Sequence, residues 1–259
     1  MTRPILDAQL HEISTGIIHL GTLVATALEQ ALQALQSGDQ ALCSQISASD
    51  SAINNLQFEV ERLTFRSLAL QQPLAGRDLR FLSSVPSITA DLERIGDNAA
   101  GIAKLLLQMT PLQATDTKPA SPPPSVVASE GQNSQLDQAI TEGTIISELL
   151  NLGQAAYEVL QGTMRAFEQR DAHNARKIWQ EDDVVDVCYH AVRHNLTTML
   201  TGTHAITALQ QDPLILMRMT YWFWIAHNLE RVGDHCTNIC ERIVFFLEGD
   251  GKIEPTEAE

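Results

Sequence analysis

Apolar residues recur at intervals of three and four along most of the 259-residue chain, the spacing that places them on one face of a helix. Strand-like alternation is scarce. Turn-forming residues such as Gly38-Asp39 and Asp212-Pro213 separate the apolar blocks. We therefore predict an all-α fold of six long helices. The predicted helices cover residues 6–37, 39–70, 77–109, 137–169, 171–200 and 213–247.

The chain contains an internal duplication. The segment Asp91–Asn98 reappears, with conservative changes, as Asn228–His235 at an offset of 137 residues, so Asn98 and His235 hold equivalent places. Gly38-Asp39 and Arg170-Asp171 form a second matched pair at an offset of 132 residues. Each copy spans roughly a hundred residues, far longer than a short solenoid repeat. We therefore predict two tandem, pseudo-symmetric three-helix bundles.

The predicted boundary between the copies is a change in composition. Residues 111–135 are rich in Pro, Ser, Thr and Gln, and this stretch holds half of the ten prolines. Such a composition is typical of a linker. We predict a first repeat over residues 1–110, a linker over 111–135 and a second repeat over 136–259.

Composition limits the partners. The formal net charge of −15 and the pI near 4.8 argue against nucleic acid or anionic lipid, and favour cations and basic protein surfaces. No apolar stretch is long enough for a signal peptide or a membrane span, so we expect a cytoplasmic protein. The four cysteines lack paired spacing, which fits a reducing compartment.

Two carboxylate pairs are the main candidate chemistry. Glu93 and Asp97 lie four residues apart, as do Glu230 and Asp234. Carboxylates at this spacing repel one another on a helix unless a cation lies between them. On a helical wheel both pairs fall opposite the apolar stripe, so we expect solvent to reach them.

Further oxygen ligands lie on the preceding helices. Asp50 shares a face with Asn54, Gln57 and Glu61 in the first copy, and Asp182 and Asp186 correspond in the second. Oxygen clusters suit magnesium, manganese, calcium or iron, whereas the nearby His235 favours a transition metal. Spacing alone leaves a second interpretation equally open, in which the acids form a solvated face beside Arg94 and Arg231.

Enzymatic function is the rival hypothesis. Carboxylate-bridged oxidoreductases and metal-storage proteins are also helical bundles, but they use Glu-x-x-His pairs that face the bundle interior. This sequence has no Glu followed three residues later by His, no P-loop and no Gly-x-Ser-x-Gly segment. We therefore predict no catalytic residues and no loop that binds a phosphate group. A structural adaptor that binds no metal is a third possibility.

The chain resembles the PhoU family of phosphate-transport regulators. The resemblance rests on the segments Leu92–Asp97 and Leu229–Asp234, each a Leu-Glu-Arg-Ile/Val-Gly-Asp sequence late in a third helix. It covers essentially the whole chain except the linker. Further matching residues are Gln72-Pro73, Asp78-Leu79-Arg80, Glu181-Asp182-Asp183, Asp186 and Asn238-Ile239.

The resemblance implies a cytoplasmic negative regulator of phosphate uptake and phosphate-starvation signalling. Such a protein is an adaptor between the ATPase subunit of a phosphate ABC transporter and a sensor histidine kinase, and reaches the membrane only through these partners. We also expect a homodimer, with the aromatic run Tyr221–Trp224 as a candidate interface.

The resemblance further implies surface sites for iron, zinc, manganese or magnesium. Asn54 stands where the second copy has Asp186, and Gly101 stands where it has Asn238, so we expect the second site to bind metal more tightly. The residues it assigns as ligands are Glu93, Asp97, Glu230 and Asp234, with Asp50, Asp182 and Asp186 as co-ligands.

Overall fold

A computed structural model of the protein describes residues 3–71, 73–74, 76–113, 141–180, 183–201 and 212–249. Every described element is an α-helix, and the described residues contain no strand, which confirms the predicted all-α fold. The helices are α1 (Arg3–Ser37), α2 (Gln40–Leu70), α3 (Gly76–Gln113), α4 (Glu142–Gln169), α5 (Ala172–Gln180), α6 (Asp183–Thr201) and α7 (Ile215–Glu248).

The fifth predicted block is described on both sides of residues 181–182, as α5 and α6, and those two residues lie outside the described ones. Helix α3 runs to Gln113, three residues into the predicted linker. Residues 114–140 lie outside the described part of the chain, so the proposed linker stays a prediction there.

Equivalent turns join the first two helical blocks of each repeat. Gly38 ends α1 with a φ of 70°, and the Asp39 carboxylate caps α2 by accepting a hydrogen bond of 2.9 Å from the backbone N–H of Ala41. In the second repeat Arg170 takes the same left-handed conformation, with a φ of 54°, and Asp171 accepts from the backbone N–H of Asn174 at 3.0 Å. The duplication therefore extends to backbone geometry.

Helices α3 and α7 run antiparallel at the junction of the two repeats. The Phe81 and Phe246 ring centroids are 5.4 Å apart near one end, and Asp91 contacts His235 close to the middle. A Cβ on Gly101 of α3 would lie 3.4 Å from Oδ1 of Asn228 on α7. The two matched segments thus face each other across a pseudo-two-fold axis.

Helices α1 and α4 close the second contact between the repeats. A Cβ at Gly21 would collide with the Met164 side chain, and one at Gly153 would collide with Leu32. The absence of a side chain at both positions therefore lets the helices pack with Met164 and Leu32 in their present places. The buried side chains of both repeats form one continuous apolar core.

The structure also bears on the membrane span and the disulfides that the sequence disfavours. None of the described helices is long and apolar enough to cross a membrane. None of the four cysteines forms a disulfide, and Cys236 and Cys240 lie fully buried on the apolar stripe of α7.

Candidate functional site

Both carboxylate pairs face away from the core, as the helical wheel predicts. On α3, Leu92 and Ile95 are fully buried, whereas Glu93 is half-buried and Asp97 is exposed. The arrangement on α7 is the same. Glu230 is half-buried and Asp234 exposed, and both lie opposite a stripe of buried residues: Leu229, Val232, Cys236, Ile239, Cys240 and Ile243.

The first pair belongs to a larger group of carboxylates. Burial raises the pKa of Glu93, and the negative charges of Asp97, Asp50 and Glu61 raise it further, while Arg94 acts against them. Because Asp50 and Glu61 come from α2, the structure brings the acids of two helices together as predicted.

Charged side chains of both repeats act on the pKa of Asp97. Burial and the negative charge of Asp50 raise its pKa, whereas Lys104, Arg94 and Arg231 act to lower it. Arg231 belongs to α7 and so supplies a positive charge from the other repeat. The arginines named in the solvated-face interpretation are therefore close to the acids, but they do not fully neutralise them.

Two buried oxygens of α2 lack a hydrogen-bond partner in the described part of the chain. Oδ1 of Asp50 and Oδ1 of Asn54 are buried, and nothing in the described part of the chain donates to them. Glu61 differs, because its Oε1 accepts hydrogen bonds from Gln57 at 3.2 Å and from Thr89 at 3.3 Å. Unsatisfied buried oxygens next to repelling carboxylates have the chemistry that a hard cation requires.

The second pair has different neighbours. Burial raises the pKa of Glu230, Asp234 and Asp186 raise it further, and His227 acts to lower it. Nδ1 of His227 lies 3.2 Å from Oε2 of Glu230. Asp186 on α6 is exposed and lies close enough to influence Glu230, whereas Asp182 lies outside the described residues. The structure therefore places two of the predicted acids, Asp234 and Asp186, close enough to act on the charge of Glu230.

The described residues contain no preformed set of metal ligands. No group of three or more His, Cys, Asp or Glu side chains there is close enough to hold a metal ion. The donor atoms fit a hard cation in type and in charge, but the carboxylates must turn towards one another to bind it. Metal binding at the seven named residues thus stays a prediction.

The structure adds a polar contact between the repeats that the sequence analysis did not identify. Nδ1 of His235 lies 2.9 Å from Oδ1 of Asp91, and Asn238 donates to the same oxygen at 3.4 Å. Nε2 of His235 is buried, and the described residues offer it no partner. His235 is therefore engaged with α3. Differences between the matched segments, Asp91 for Asn228 and His235 for Asn98, were the available sequence signal.

The aromatic run on α7 divides between the core and the surface. Trp222 is buried, whereas Trp224 is 54% exposed, because a continuous run of large rings cannot all face one side of a helix. The ring of His227 lies 6.2 Å from that of Trp224. Trp224 is thus available as a contact surface.

Comparisons with known proteins agree with the fold. The model of the PhoU domain matches residues 17–106 and 149–243, once in each repeat. Relatives named phosphate-specific transport system accessory protein PhoU homolog include one from Streptococcus pneumoniae, 31% identical over 94% of this chain and 95% of its own. Another, from Xylella fastidiosa, is 31% identical over 97% of this chain and 90% of its own.

Solved structures give the same result. A crystal structure of the phosphate transport system regulatory protein PhoU from Streptococcus pneumoniae is 31% identical, with a TM-score of 0.69 over 95% of this chain and 98% of that one. The crystal structure of PhoU from Pseudomonas aeruginosa is 26% identical, with a TM-score of 0.73 over 94% and 99%. The chain therefore belongs to the PhoU family, as the match to the family domain, the helical fold and the duplicated acidic segment together establish.

Proposed function

We propose that the protein is a negative regulator of phosphate uptake and of phosphate-starvation signalling. In this role it is a cytoplasmic adaptor between the ATPase subunit of a phosphate ABC transporter and a sensor histidine kinase. Its membership of the PhoU family carries the proposal, because its relatives are named as accessory or regulatory proteins of the phosphate transport system. The partners themselves are inferred from the family resemblance.

The proposed adaptor binds metal ions at its two acidic faces. Glu93, Asp97 and Asp50 hold the first ion, and Glu230 and Asp234 hold the second together with Asp186 and Asp182. The raised pKa values of Glu93, Asp97 and Glu230 support this, because burial raises each pKa and the negative charge of neighbouring carboxylates raises it further. A bound divalent ion would lower that repulsion and could bridge to acidic groups on a partner.

The proposed mechanism is docking rather than catalysis. The carboxylates face solvent instead of the bundle interior, which disfavours the alternative of a carboxylate-bridged oxidoreductase or storage protein. An exposed surface suits a protein that two partners must recognise. We also propose a homodimer, for which the exposed Trp224 supplies an apolar contact.

The decisive experiment combines metal analysis with partner binding. Gently purified wild-type protein is compared with Glu230→Ala/Asp234→Ala by elemental analysis and by pull-down of the ATPase subunit and the sensor kinase. A Glu12→Ala/Glu29→Ala variant, which removes two exposed carboxylates of α1, controls for the change in net charge.

We expect metal and partner binding to fall together in the Glu230→Ala/Asp234→Ala variant and to stay unchanged in the control. Partner binding that persists without metal would show that the carboxylates form only a solvated face. Failure of the wild-type protein to bind either partner would overturn the adaptor role itself.

A further inference from the structure

Two histidines of α6 lie one helical turn apart. His190 and His194 are four residues apart, and no other two of the eight histidines are separated by three or four residues. Both side chains are exposed. This spacing places the two Cβ atoms about 5–6 Å apart on one face of the helix. The two imidazole rings can therefore reach one common point, as they do in helices that bind zinc through such a pair.

Helix α6 is held on its inner side, while the rings of this pair have no polar partner. Leu196 is fully buried, and Asn195 donates a hydrogen bond of 2.5 Å to Oε1 of Glu148 on α4. Within the described ranges, no ring nitrogen of His190 or His194 forms a hydrogen bond or an ion pair. The packing thus keeps the backbone in place and leaves the ring nitrogens available to an ion from solvent.

The charges around the pair favour a cation. Two carboxylates and one guanidinium accompany the histidines on α6, those of Asp183, Asp186 and Arg193. Asp186 lies one turn before His190 on the same side of the helix. It also acts on the charge of Glu230. The histidine pair therefore borders the second acidic face, in a chain whose net charge of −15 attracts cations.

The donor atoms differ in type from those of the acidic faces. Imidazole nitrogen suits zinc, copper and nickel, whereas carboxylate and water oxygens suit magnesium, calcium and manganese. Ala191 follows His190, so the pair lacks the glutamate base with which zinc hydrolases use this spacing. At the offset of 132 residues the first repeat has Phe58 and Arg62, which do not bind metal ions. The nitrogen pair is thus a feature of the second repeat alone.

We propose that His190 and His194 form a site for a transition-metal ion of the zinc type, separate from the two acidic faces. Each ring binds the ion through one nitrogen, and water fills the remaining positions of a tetrahedral ion. Within the described ranges no three His, Cys, Asp or Glu side chains are close enough to hold an ion together, so the protein supplies two ligands. The site is therefore open to solvent and binds its ion reversibly.

The experiment follows the ring-nitrogen NMR signals of the full-length protein, labelled with nitrogen-15 histidine, while zinc chloride is added. The test variants His190→Gln and His194→Gln each remove one ring and leave the other as a reporter. The matched control is His11→Gln, read at His19. These exposed histidines of α1 lie about 12 Å apart along the helix axis, too far to share one ion. Circular dichroism verifies the fold of each variant.

We expect the signals of His190 and His194 to move together in the wild-type protein. In His190→Gln the His194 signal should need at least about ten times more zinc, because one of two nitrogen ligands is lost, and the converse holds for His194→Gln. The His19 midpoint should be the same with and without His11. Magnesium chloride should leave the pair unmoved, since magnesium prefers oxygen ligands.

Two results would overturn the site. The first is a pair of signals that ignore zinc, or whose midpoints do not depend on the other ring. The second is loss of the response in Glu230→Ala/Asp234→Ala, which would assign the rings to the second acidic face. Because the rings report on this site alone, a failure of partner binding or of metal binding at the acidic faces would count against the adaptor proposal and leave this one standing.

Discussion

The two repeats place the same acidic pair on the same face of a long helix, yet the contacts around the pairs differ. In the first repeat Asp91 reaches across to His235 on α7, whereas its counterpart Asn228 donates at 2.8 Å to the Trp224 carbonyl of its own helix. Backbone duplication has therefore kept the helices equivalent while the polar contacts between them have become asymmetric.

The ends of α3 and α7 show the same contrast more strongly. Phe81 packs against Phe167 and Phe246, with ring centroids 6.4 and 5.4 Å away. Its counterpart, Arg218, is buried and ion-paired with Glu142 and Asp212. The start of α3 packs an aromatic ring against two rings of the other repeat, whereas the start of α7 uses a buried cation that ties it to the start of α4 within its own repeat.

Truncation at these two ends should have the largest effect. Phe81→Ala should cost about 3–5 kcal/mol of unfolding free energy at any pH, because it leaves a cavity. Arg218→Met should cost about 2–3 kcal/mol near neutral pH, since Glu142 and Asp212 keep partial access to water. Denaturant unfolding measures both changes.

The pH dependence separates the two ends. The hydrogen bond from Arg218 lowers the pKa of Asp212, so the contribution of this pair is present above the ordinary Asp pKa and lost as pH falls through the lowered value. The cost of Arg218→Met should therefore shrink below about pH 4. An unchanged cost at low pH would contradict the ion-pair account.

Metal addition tests whether the two acidic faces differ. A divalent ion at about a hundred times its dissociation constant should stabilise the protein by about 2.7 kcal/mol, a rise in Tm of about 5–10 °C. Because Asn54 replaces an acid in the first site, Glu230→Ala/Asp234→Ala should lose the tighter phase and Glu93→Ala/Asp97→Ala the weaker one. Differential scanning fluorimetry with manganese measures this. If the first site instead bound the ion more tightly, the carboxylates of Asp50 and Glu61 would contribute more to affinity than the loss of an acid at Asn54 removes.

Removal of the contact between the repeats should have an intermediate effect. Asp91→Ala leaves Nδ1 of His235 without its partner in a largely buried position, at a cost of about 1–2 kcal/mol. Asn228→Ala, the matched control, removes a local bond within one helix and should cost about 0.5 kcal/mol. Equal losses of stability in thermal unfolding would show that the contact between the repeats contributes no more to stability than the local hydrogen bond does.

Neutralisation of one acidic pair should have the smallest effect. Without metal, Glu93→Gln/Asp97→Asn should gain about 0.2–0.5 kcal/mol at neutral pH, because it removes a like-charge pair four residues apart. Since the folded pKa values of both groups are raised, wild-type stability falls as pH rises from the unfolded pKa through the folded one. The gain should thus vanish on acidification, as thermal unfolding in EDTA between pH 4 and 8 can show.

Much of the architecture was predictable from the sequence because it is local. Apolar spacing located the helices, and the wheel placed Glu93 and Glu230 correctly on the side away from the core. The contact between Asp91 and His235 was missed, since it joins residues 144 apart and neither side chain carries a pattern that names the other.

The sequence by itself determined the helices, the duplication and the side of each helix on which the acids lie, because helical periodicity depends only on nearby residues. Tertiary structure decided how each acid is surrounded. The antiparallel packing of α3 and α7 brings Arg231 to Asp97, and the fold places His227 beside Glu230. Two copies of one acidic segment thereby acquire different electrostatic surroundings, because charge interactions depend on distance in space rather than on distance along the chain.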